Sequence, residues 1–278
     1  MEPKLSVITV CYQAVGEIEK TLKSVLEQRF SDYEYVFVDG GSRDGTLETL
    51  RAYERRLKDR CRRVSITSEP DRGIYDAMNK GLQRARGEWV LMLNAGDALA
   101  DPLVLQDLFW GREYDAHVIY GDAMLRDRHR GRDIFKDFPA MDLVEMERGL
   151  PFCHQAAFAR RKLLEKYPFE TRFSISADYD QFLRAWKDGA KFQHIPRVVA
   201  VFDCGGACLR KPQVTMAQCD AVREFRQFAG RPASRFQRLR GRLRGTVKSL
   251  APGLFYSRSR GWRETLRRDS EGRVQLGE

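Results

Sequence analysis

Acidic and amide side chains follow three of the strands that the sequence predicts in the first half of the chain. Asp39 follows the second strand, Asp71 follows the third, and Asn94 and Asp97 follow the fourth. Ligands of parallel sheets bind outside the carboxyl ends of the strands, so we expect these side chains at one edge. Their oxygens suit Mg²⁺ or Mn²⁺, which bind through one or two carboxylates together with substrate phosphates. The pattern therefore predicts a divalent metal site for a phosphorylated ligand.

The turn formed by Asn94, Ala95, Gly96 and Asp97 is the most compact of these groups. It offers an amide oxygen and a carboxylate within one turn, and Gly96 lets the backbone fold tightly between them. The alternative is an ordinary turn, because Asn, Gly and Asp are all common after strands. The two other acidic loops at the same predicted edge favour the metal site.

The elements that would position these residues alternate between strands and helices. Hydrophobic residues make up 42% and charged residues 32% of the 278 residues, so the chain can bury a core and is not disordered as a whole. All-apolar strands separated by helices predict an α/β fold, with a mostly parallel sheet sandwiched by helices. The predicted strands are 5–11, 35–38, 64–67, 89–93 and 118–120, and helices are predicted at 16–28, 47–57, 74–85 and after Asp101.

The second half of the sequence is less regular. Strand-like runs occur at 151–158 and at 192–202, the latter interrupted by Pro196. Helical spacing of apolar residues occurs at 177–186 and again at 214–228. We therefore expect further strands and helices in the second half, without the regular alternation of the first half.

Two common phosphate-binding motifs are absent. A dinucleotide site needs G-x-G-x-x-G directly after the first strand, and residues 11–16 contain a single glycine, Gly16. The G-x-x-x-x-G-K-[ST] pattern of a P-loop does not occur either. A glycine-rich phosphate cradle is therefore excluded, which again favours a metal.

Four segments follow one another in the first half of the chain: LSVITVCYQ, VFVDGGSRDGT, SEPDRGIYDAMNKG and GEWVLMLNAGD. Taken together in this order and spacing, they resemble the family 2 inverting glycosyltransferases of GT-A fold. The resemblance covers roughly residues 5–205 and is closest to small bacterial enzymes that build capsule, exopolysaccharide or lipopolysaccharide sugars.

This resemblance implies an enzyme that moves a hexosyl or N-acetylhexosaminyl group from a nucleotide-sugar donor to an acceptor hydroxyl. It favours a UDP-sugar donor, with GDP and dTDP left open, and Mn²⁺ or Mg²⁺ as the cofactor. It also implies a glycan or lipid-linked acceptor in surface polysaccharide synthesis. The residues that it places at the nucleoside are Thr9, Cys11, Tyr12, Asp39, Asp71 and Gly73.

The metal motif departs from the family pattern. The family places a D-x-D motif where this chain has Asn94 to Asp97, so Asn94 replaces the first Asp and one residue is inserted. By this resemblance Asp97 is the expected metal ligand, with Asn94 beside it.

The resemblance also supplies a catalytic base. Asp178 matches the family's base, which takes the proton of the acceptor hydroxyl as that hydroxyl attacks the anomeric carbon. Asp180 is the second candidate, and His154 occupies a position where similar enzymes place groups that face the acceptor or the diphosphate. The alternatives are a helix N-cap for Asp178 and a structural strand residue for His154.

The positive charge is concentrated at the C-terminus. The net charge is +10, and residues 231–278 hold 13 Lys and Arg against 4 Asp and Glu. We expect a GT-A domain over 1–208, with a nucleotide-sugar part at about 1–125 and an acceptor part at about 126–208. A basic helical extension is expected over 209–278.

Within this extension an apolar stripe at helical spacing is surrounded by arginines. Such a basic amphipathic helix is typical of binding to an anionic membrane surface, although a helix packed on the domain is the alternative. The N-terminus has no long apolar run, so we expect a cytoplasmic protein, peripheral at the inner membrane face, and no nucleic-acid partner. The stripe consists of Phe236, Leu239, Leu243, Val247 and Leu250, followed by Phe255, Tyr256 and Trp262 among Arg258, Arg260 and Arg263.

Two other functions fit parts of the sequence. A sugar-phosphate nucleotidyltransferase also builds acidic metal sites on an α/β sheet, but it should carry a Lys or Arg in a Gly-rich loop after the first strand, and residues 11–16 have neither. A non-catalytic module that binds nucleotide-sugars or membranes is the other. Loss of activity on replacing Asp178 would distinguish the enzyme from this module.

Overall fold

The computed structural model describes residues 2–129, 131–204, 212–228 and 261–277. The strands are β1 (Leu5–Cys11), β2 (Tyr33–Asp39), β3 (Arg63–Ser68), β4 (Trp89–Met92), β5 (Ala98–Leu99), β6 (Val118–His129), β7 (Arg132–Phe138), β8 (Ala157–Arg160), β9 (Phe192–Asp203), β10 (Arg267–Arg268) and β11 (Val274–Gln275). The α-helices are α1 (Ile18–Leu26), α2 (Thr46–Lys58), α3 (Ile74–Arg84), α4 (Val104–Phe109), α5 (Arg161–Lys166), α6 (Ala177–Lys187) and α7 (Pro212–Phe225). Short 3-10 helices cover Leu143–Glu147 and His154–Ala156.

One large sheet organises the molecule, in the order β3-β2-β1-β4-β8-β6-β9-β5, with β7 paired to β6. The first four strands of this order are parallel to one another. Beyond β4 the sheet is mixed, because β8 runs antiparallel to both neighbours while β6 and β9 are parallel. The predicted α/β fold with a mostly parallel sheet is confirmed.

The core lies on both faces of the sheet because side chains of a strand alternate between faces. Leu5 and Val7 of β1 pack in the cluster that holds the buried residues of α1 and α2. Ile8 and Val10 pack on the other face, with α3 and α6. Every residue of β1 is buried, and all of them are apolar except Ser6 and Thr9.

Three predicted boundaries were wrong in the second half. The strand predicted at 118–120 continues to His129 and forms an antiparallel hairpin with β7, whose polar sequence gave no strand pattern. The run at 151–158 begins as a 3-10 turn, and its strand covers only Ala157–Arg160. Pro196 does not break β9, because the register against β6 shifts close to it and absorbs the missing N–H.

The end of the chain also differs from the predicted helical extension. Pro212–Phe225 is helical, as expected within 209–278, but the described residues 261–277 contain a short antiparallel hairpin that packs on the domain. Arg263 forms two hydrogen bonds to Asp137, at 2.7 and 3.1 Å, instead of facing a membrane. Buried Val274 donates its N–H to Asp101, 2.8 Å away. Carboxylates of the domain thus hold this segment in place.

The apolar stripe from Phe236 to Leu250 lies outside the described residues, as do Phe255, Tyr256, Arg258 and Arg260. Among the helices that the structure does describe, none combines the length and apolar character that a membrane span requires.

Candidate active site

A cleft of about 690 Å³ opens beyond the carboxyl end of β4. One side is formed by the turn from Asn94 to Asp97, and the other side by the residues around Asp178 at the start of α6. The end of β9 and one side of α7 complete it. The cleft therefore brings together the predicted metal turn and the predicted base, which are more than 80 residues apart in sequence.

Asp39 lies at the end of β2 and is fully buried. Its carboxylate accepts hydrogen bonds from the N–H groups of Gly41 (3.2 Å) and Ser42 (3.0 Å), and from the hydroxyls of Ser42 and Ser68 (2.6 Å). These donors occupy both oxygens. In this structure Asp39 shapes the loop after β2 and does not present a free carboxylate to a ligand.

Thr9 and Cys11 are likewise interior residues of β1. The Thr9 hydroxyl lies 2.7 Å from the carbonyl oxygen of Leu93 and 3.0 Å from the hydroxyl of Tyr35. Burial, followed by the nearby Asp39 charge, raises the pKa of the Cys11 thiol far above its ordinary value, so Cys11 is a neutral thiol. Thr9 and Cys11 therefore lie inside the sheet, beneath the loop that is predicted to contact the nucleoside.

Three predicted nucleoside residues do form an accessible rim. The side chain of Tyr12 is 63% exposed, which leaves its ring free to stack against a base. Asp71 is half-buried and accepts the N–H of Gly73 at 2.8 Å. A Cβ on Gly40 would lie 2.4 Å from the Asp71 carboxylate, so the loops after β2 and β3 approach each other closely here. The rim therefore consists of Tyr12, Gly40, Asp71 and Gly73.

The predicted metal turn contains one buried carboxylate and one half-buried amide. Asp97 is 5% exposed and accepts hydrogen bonds from Gln155 Nε2 and from the N–H of Asp203, both at 3.0 Å. Burial raises the pKa of Asp97 to about 6. The Oδ1 atom of Asn94 is buried with no hydrogen-bond partner, although its Nδ2 lies 3.4 Å from His154 Nε2. Gly96 has φ +97°, as the tight turn requires.

Asp178 and His154 form a pair across the cleft, which we call the dyad. Nδ1 of His154 lies 3.1 Å from Oδ2 of Asp178, and each side chain is 16% exposed. Oδ1 of Asp178 accepts hydrogen bonds from the N–H of Tyr179 (2.9 Å) and the hydroxyl of Tyr75 (3.3 Å). A neutral His154 thus carries its proton on Nδ1, and its Nε2 accepts from Asn94. A chain of polar contacts links the base candidate to the metal turn.

The sequence matches one family over most of this architecture. A sequence model described as Glycosyl transferase family 2 matches residues 6–168, more than half of the chain. The chain belongs to glycosyl transferase family 2. The match includes the Asp39 and Asp71 loops, the metal turn and His154, and it ends before Asp178.

Glycosyltransferases of this family are also the relatives that the sequence resembles. A PGL/p-HBAD biosynthesis glycosyltransferase of Mycobacterium bovis (strain BCG / Pasteur 1173P2) is 33% identical over 207 residues, which are 72% of this chain and 77% of the relative. The putative glycosyltransferase EpsE of Bacillus subtilis (strain 168) is 27% identical over 194 residues, 67% of this chain and 68% of EpsE. The protein is a glycosyltransferase, so the predicted enzyme class is confirmed.

Solved glycosyltransferases share the fold. TarS 1–349 of S. aureus, in complex with UDP, superposes with a TM-score of 0.61 at 17% identity, over 91% of this chain and 74% of TarS 1–349. The mannosyltransferase PcManGT from Pyrobaculum calidifontis, in complex with GDP-Man and Mn²⁺, gives a TM-score of 0.60 at 20% identity, over 92% of this chain and 73% of PcManGT. The GT-A fold expected for family 2 is confirmed.

The structure does not bring Asp180 into the cleft of this family 2 enzyme. Asp180 is fully buried, and its carboxylate accepts hydrogen bonds from Nε of Arg184 (2.9 Å) and Nε of Arg226 (2.6 Å). It ties α6 to the end of α7. Its place as second candidate for the base is therefore wrong, because both of its oxygens are engaged away from the reacting groups.

Replacing Asp180 with Ala should destabilise the fold. The substitution would leave two arginines facing a buried space without their carboxylate, which costs about 3 kcal/mol in the free energy of unfolding. Urea denaturation monitored by circular dichroism measures this loss. Asp180→Asn, which keeps two polar atoms in place, should lose less. A stable Asp180→Ala protein without transferase activity would contradict this and make Asp180 a base candidate again.

Sequence reasoning missed two polar residues that support the metal turn. Arg126 of β6 is buried and donates to Asp203 (2.7 Å) and to the carbonyl oxygen of Gly96 (2.9 Å). It thereby fixes the back of the metal turn. Neither Arg126 nor Asp203 belongs to a recognisable motif, and only the pairing of β6 with β9 brings them to Asp97.

Proposed function

We propose that this enzyme is a metal-dependent inverting glycosyltransferase that moves a hexosyl or N-acetylhexosaminyl group from a nucleotide-sugar to an acceptor hydroxyl. One observation carries the proposal: the dyad lies in the same cleft as Asn94 and Asp97, joined to them through the contact between His154 and Asn94. A base candidate and a diphosphate-binding turn are the two parts that direct displacement needs.

Asp178 acts as the base. It accepts the proton of the acceptor hydroxyl while the acceptor oxygen forms a bond to the anomeric carbon. The bond from that carbon to the diphosphate oxygen breaks, and its electron pair stays on the diphosphate. Attack from the face opposite the leaving group inverts the anomeric configuration. General base catalysis of this kind contributes roughly 10²–10⁴-fold.

His154 serves Asp178 as a positioning residue. Its Nδ1–H donates to Oδ2, while Tyr75 and the N–H of Tyr179 hold Oδ1. The carboxylate is thereby fixed in one orientation without full burial, so that an acceptor hydroxyl can reach it.

The metal turn fits a hard divalent cation. The buried Oδ1 of Asn94 lacks a partner, and an oxygen donor left alone in the interior is costly unless a ligand satisfies it. In the described part of the chain no three His, Cys, Asp or Glu side chains group as metal ligands, so substrate phosphates would complete the shell, as is usual for Mg²⁺. Asn94 and Asp97 would hold the ion. Bound Mn²⁺ or Mg²⁺ would neutralise charge on the leaving diphosphate.

We propose a UDP-sugar as the donor, with its nucleoside along the rim at Tyr12 and Asp71. TarS is a structural neighbour solved with UDP, which supports this choice. PcManGT, solved with GDP-Man and Mn²⁺, keeps a GDP-sugar as the competing donor and supports the use of a metal.

The proposed acceptor is a lipid-linked glycan of surface polysaccharide synthesis, reached at the inner membrane face. The support is electrostatic: residues 229–260 contain nine arginines and lysines and no acidic residue. Each basic residue near an anionic leaflet contributes about 1 kcal/mol. Since residues 261–277 pack on the domain, we place the membrane contact in 229–260 alone.

Binding of the donor nucleotide should stabilise the protein only when metal is present. At 100 times its Kd a ligand adds roughly 2.7 kcal/mol, which raises the midpoint of thermal unfolding by roughly 5–10 °C. A thermal-shift screen of UDP, GDP and dTDP, with Mn²⁺ or with EDTA, measures this. An equal shift in EDTA would refute the proposal that nucleotide binding depends on a metal. If no nucleotide gives a shift, the proposal of a nucleotide-sugar donor is refuted.

A further inference from the structure

The cleft has two walls of different chemistry. Asn94, Asp97 and Asp203 make one wall polar. A second set of lining residues, which we call the apolar wall, comes from three segments of the chain that meet at α7. It consists of Leu150, Phe152, Ile175 and Met216.

The apolar wall is only partly covered by the protein. Phe152 is buried, but Leu150, Ile175 and Met216 are half-buried and meet solvent in the cleft. Removing apolar surface from water is favourable by about 25 cal/mol per Å². A ligand made only of sugar hydroxyls would gain little there, whereas an alkyl or aryl group would displace this water.

The apolar wall is attached to the loop that carries the base. Gln218 of α7 accepts the N–H of Ile175 (2.9 Å) and donates to the hydroxyl of Ser174 (2.7 Å). Met216 lies on the same helix, two residues away. Tyr75 donates both to the carbonyl oxygen of Ile175 and to Asp178. A group that lies on this wall is therefore beside the hydroxyl that Asp178 deprotonates.

We propose that the apolar wall is an acceptor subsite for an apolar aglycone, an alkyl or aryl group attached next to the sugar that is extended. The inference rests on the proposed function, since it assigns the wall to the acceptor. It narrows the acceptor class, because the apolar group must lie inside the cleft and not only in a distant membrane anchor. The apolar surface continues outward at Met141, 52% exposed, whose N–H bonds to the carbonyl oxygen of Pro151 beside Leu150.

The test compares phenyl and methyl glycosides of the same hexose, measured by calorimetry on the full chain with UDP, GDP or dTDP and Mn²⁺ present. We expect the phenyl glycoside to bind about tenfold more tightly. Met216→Asp should abolish this preference while nucleotide binding persists. Val214→Asp is the matched control, because Val214 is 42% exposed on the same helix and lies outside the cleft lining.

Equal affinity of the two glycosides in the wild type would overturn the subsite, as would a preference that survives in Met216→Asp. If Met216→Asp does not fold, Met216→Ala replaces it, with a loss of about threefold in the preference expected. A failure of the proposed function gives a different result: the wild type then binds none of the three nucleotides, irrespective of its affinity for the two glycosides.

Discussion

Asp178→Asn should lower the rate of sugar transfer roughly 10²–10⁴-fold. The amide cannot accept the proton of the acceptor hydroxyl, yet it has almost the same shape and can still accept the N–H of Tyr179. Donor binding should not change, because the proposed donor site at Asn94, Asp97 and the rim does not include Asp178. Transfer to acceptor is followed by product analysis, and nucleotide binding by the thermal shift described above.

Asp188→Asn is a suitable control for this substitution. Asp188 ends the same helix and accepts the hydroxyl of Tyr167, outside the cleft. It should keep full activity. If Asp178→Asn turned over like the wild type, Asp178 would not be the base. If it lost nucleotide binding as well as transfer, its effect would lie in the fold of the cleft and not in proton transfer.

The choice between Asp178 and Asp180 shows where sequence reasoning stops. Residues two apart on a helix point about 200° from one another, so the two carboxylates could never both face the cleft. The sequence could have excluded that arrangement. It could not show which one faces the cleft, because this is decided by Arg226, which directly follows α7 and pairs with Asp180.

The first half was predictable because β1, β2 and β4 are buried along their whole length. The apolar runs of β1, β2 and β4 marked the strands, and the acidic loops after them were placed at one edge, as the structure confirms. What the sequence could not show is how the loop carboxylates are used. Asp39 accepts hydrogen bonds from Gly41, Ser42 and Ser68. Asp71 lies at the accessible rim.

The second half was harder because its strands are only partly buried. Charged residues are mixed with apolar ones in the C-terminal half of β6 and throughout β7, and most of these residues are only half-buried. No apolar run therefore marks these strands in the sequence. Arg126 reads as a surface residue in sequence but is buried against Asp203. The described C-terminal hairpin depends on contacts as distant as that of Arg273 with Asp107, 166 residues away.

Asp97→Asn should change the pH dependence of stability. Burial raises the pKa of Asp97 from 3.8 to about 6 in the folded protein. Between these values the folded state binds more protons than the unfolded state, so the free energy of unfolding falls as pH rises through this window. At 1.36 kcal/mol per pK unit the loss is roughly 3 kcal/mol, and it persists at neutral pH. Removing the carboxylate should remove this decline.

Urea denaturation of metal-free protein at pH 4.5, 6 and 7.5 tests this, using the difference between wild type and variant so that other groups cancel. Asp76→Asn is a control without a slope in this range, because the N–H of Arg72 lowers the pKa of Asp76 from 3.8 and its contribution is lost only at lower pH. If the free energy of unfolding of Asp97→Asn varied with pH as in the wild type, the prediction that Asp97 is buried with a raised pKa would be contradicted. We expect the variant to be more stable than the wild type at pH 7.5 but to gain no stability from nucleotide with Mn²⁺. This result would show that the charge of Asp97 is needed for binding in the cleft, although it destabilises the fold.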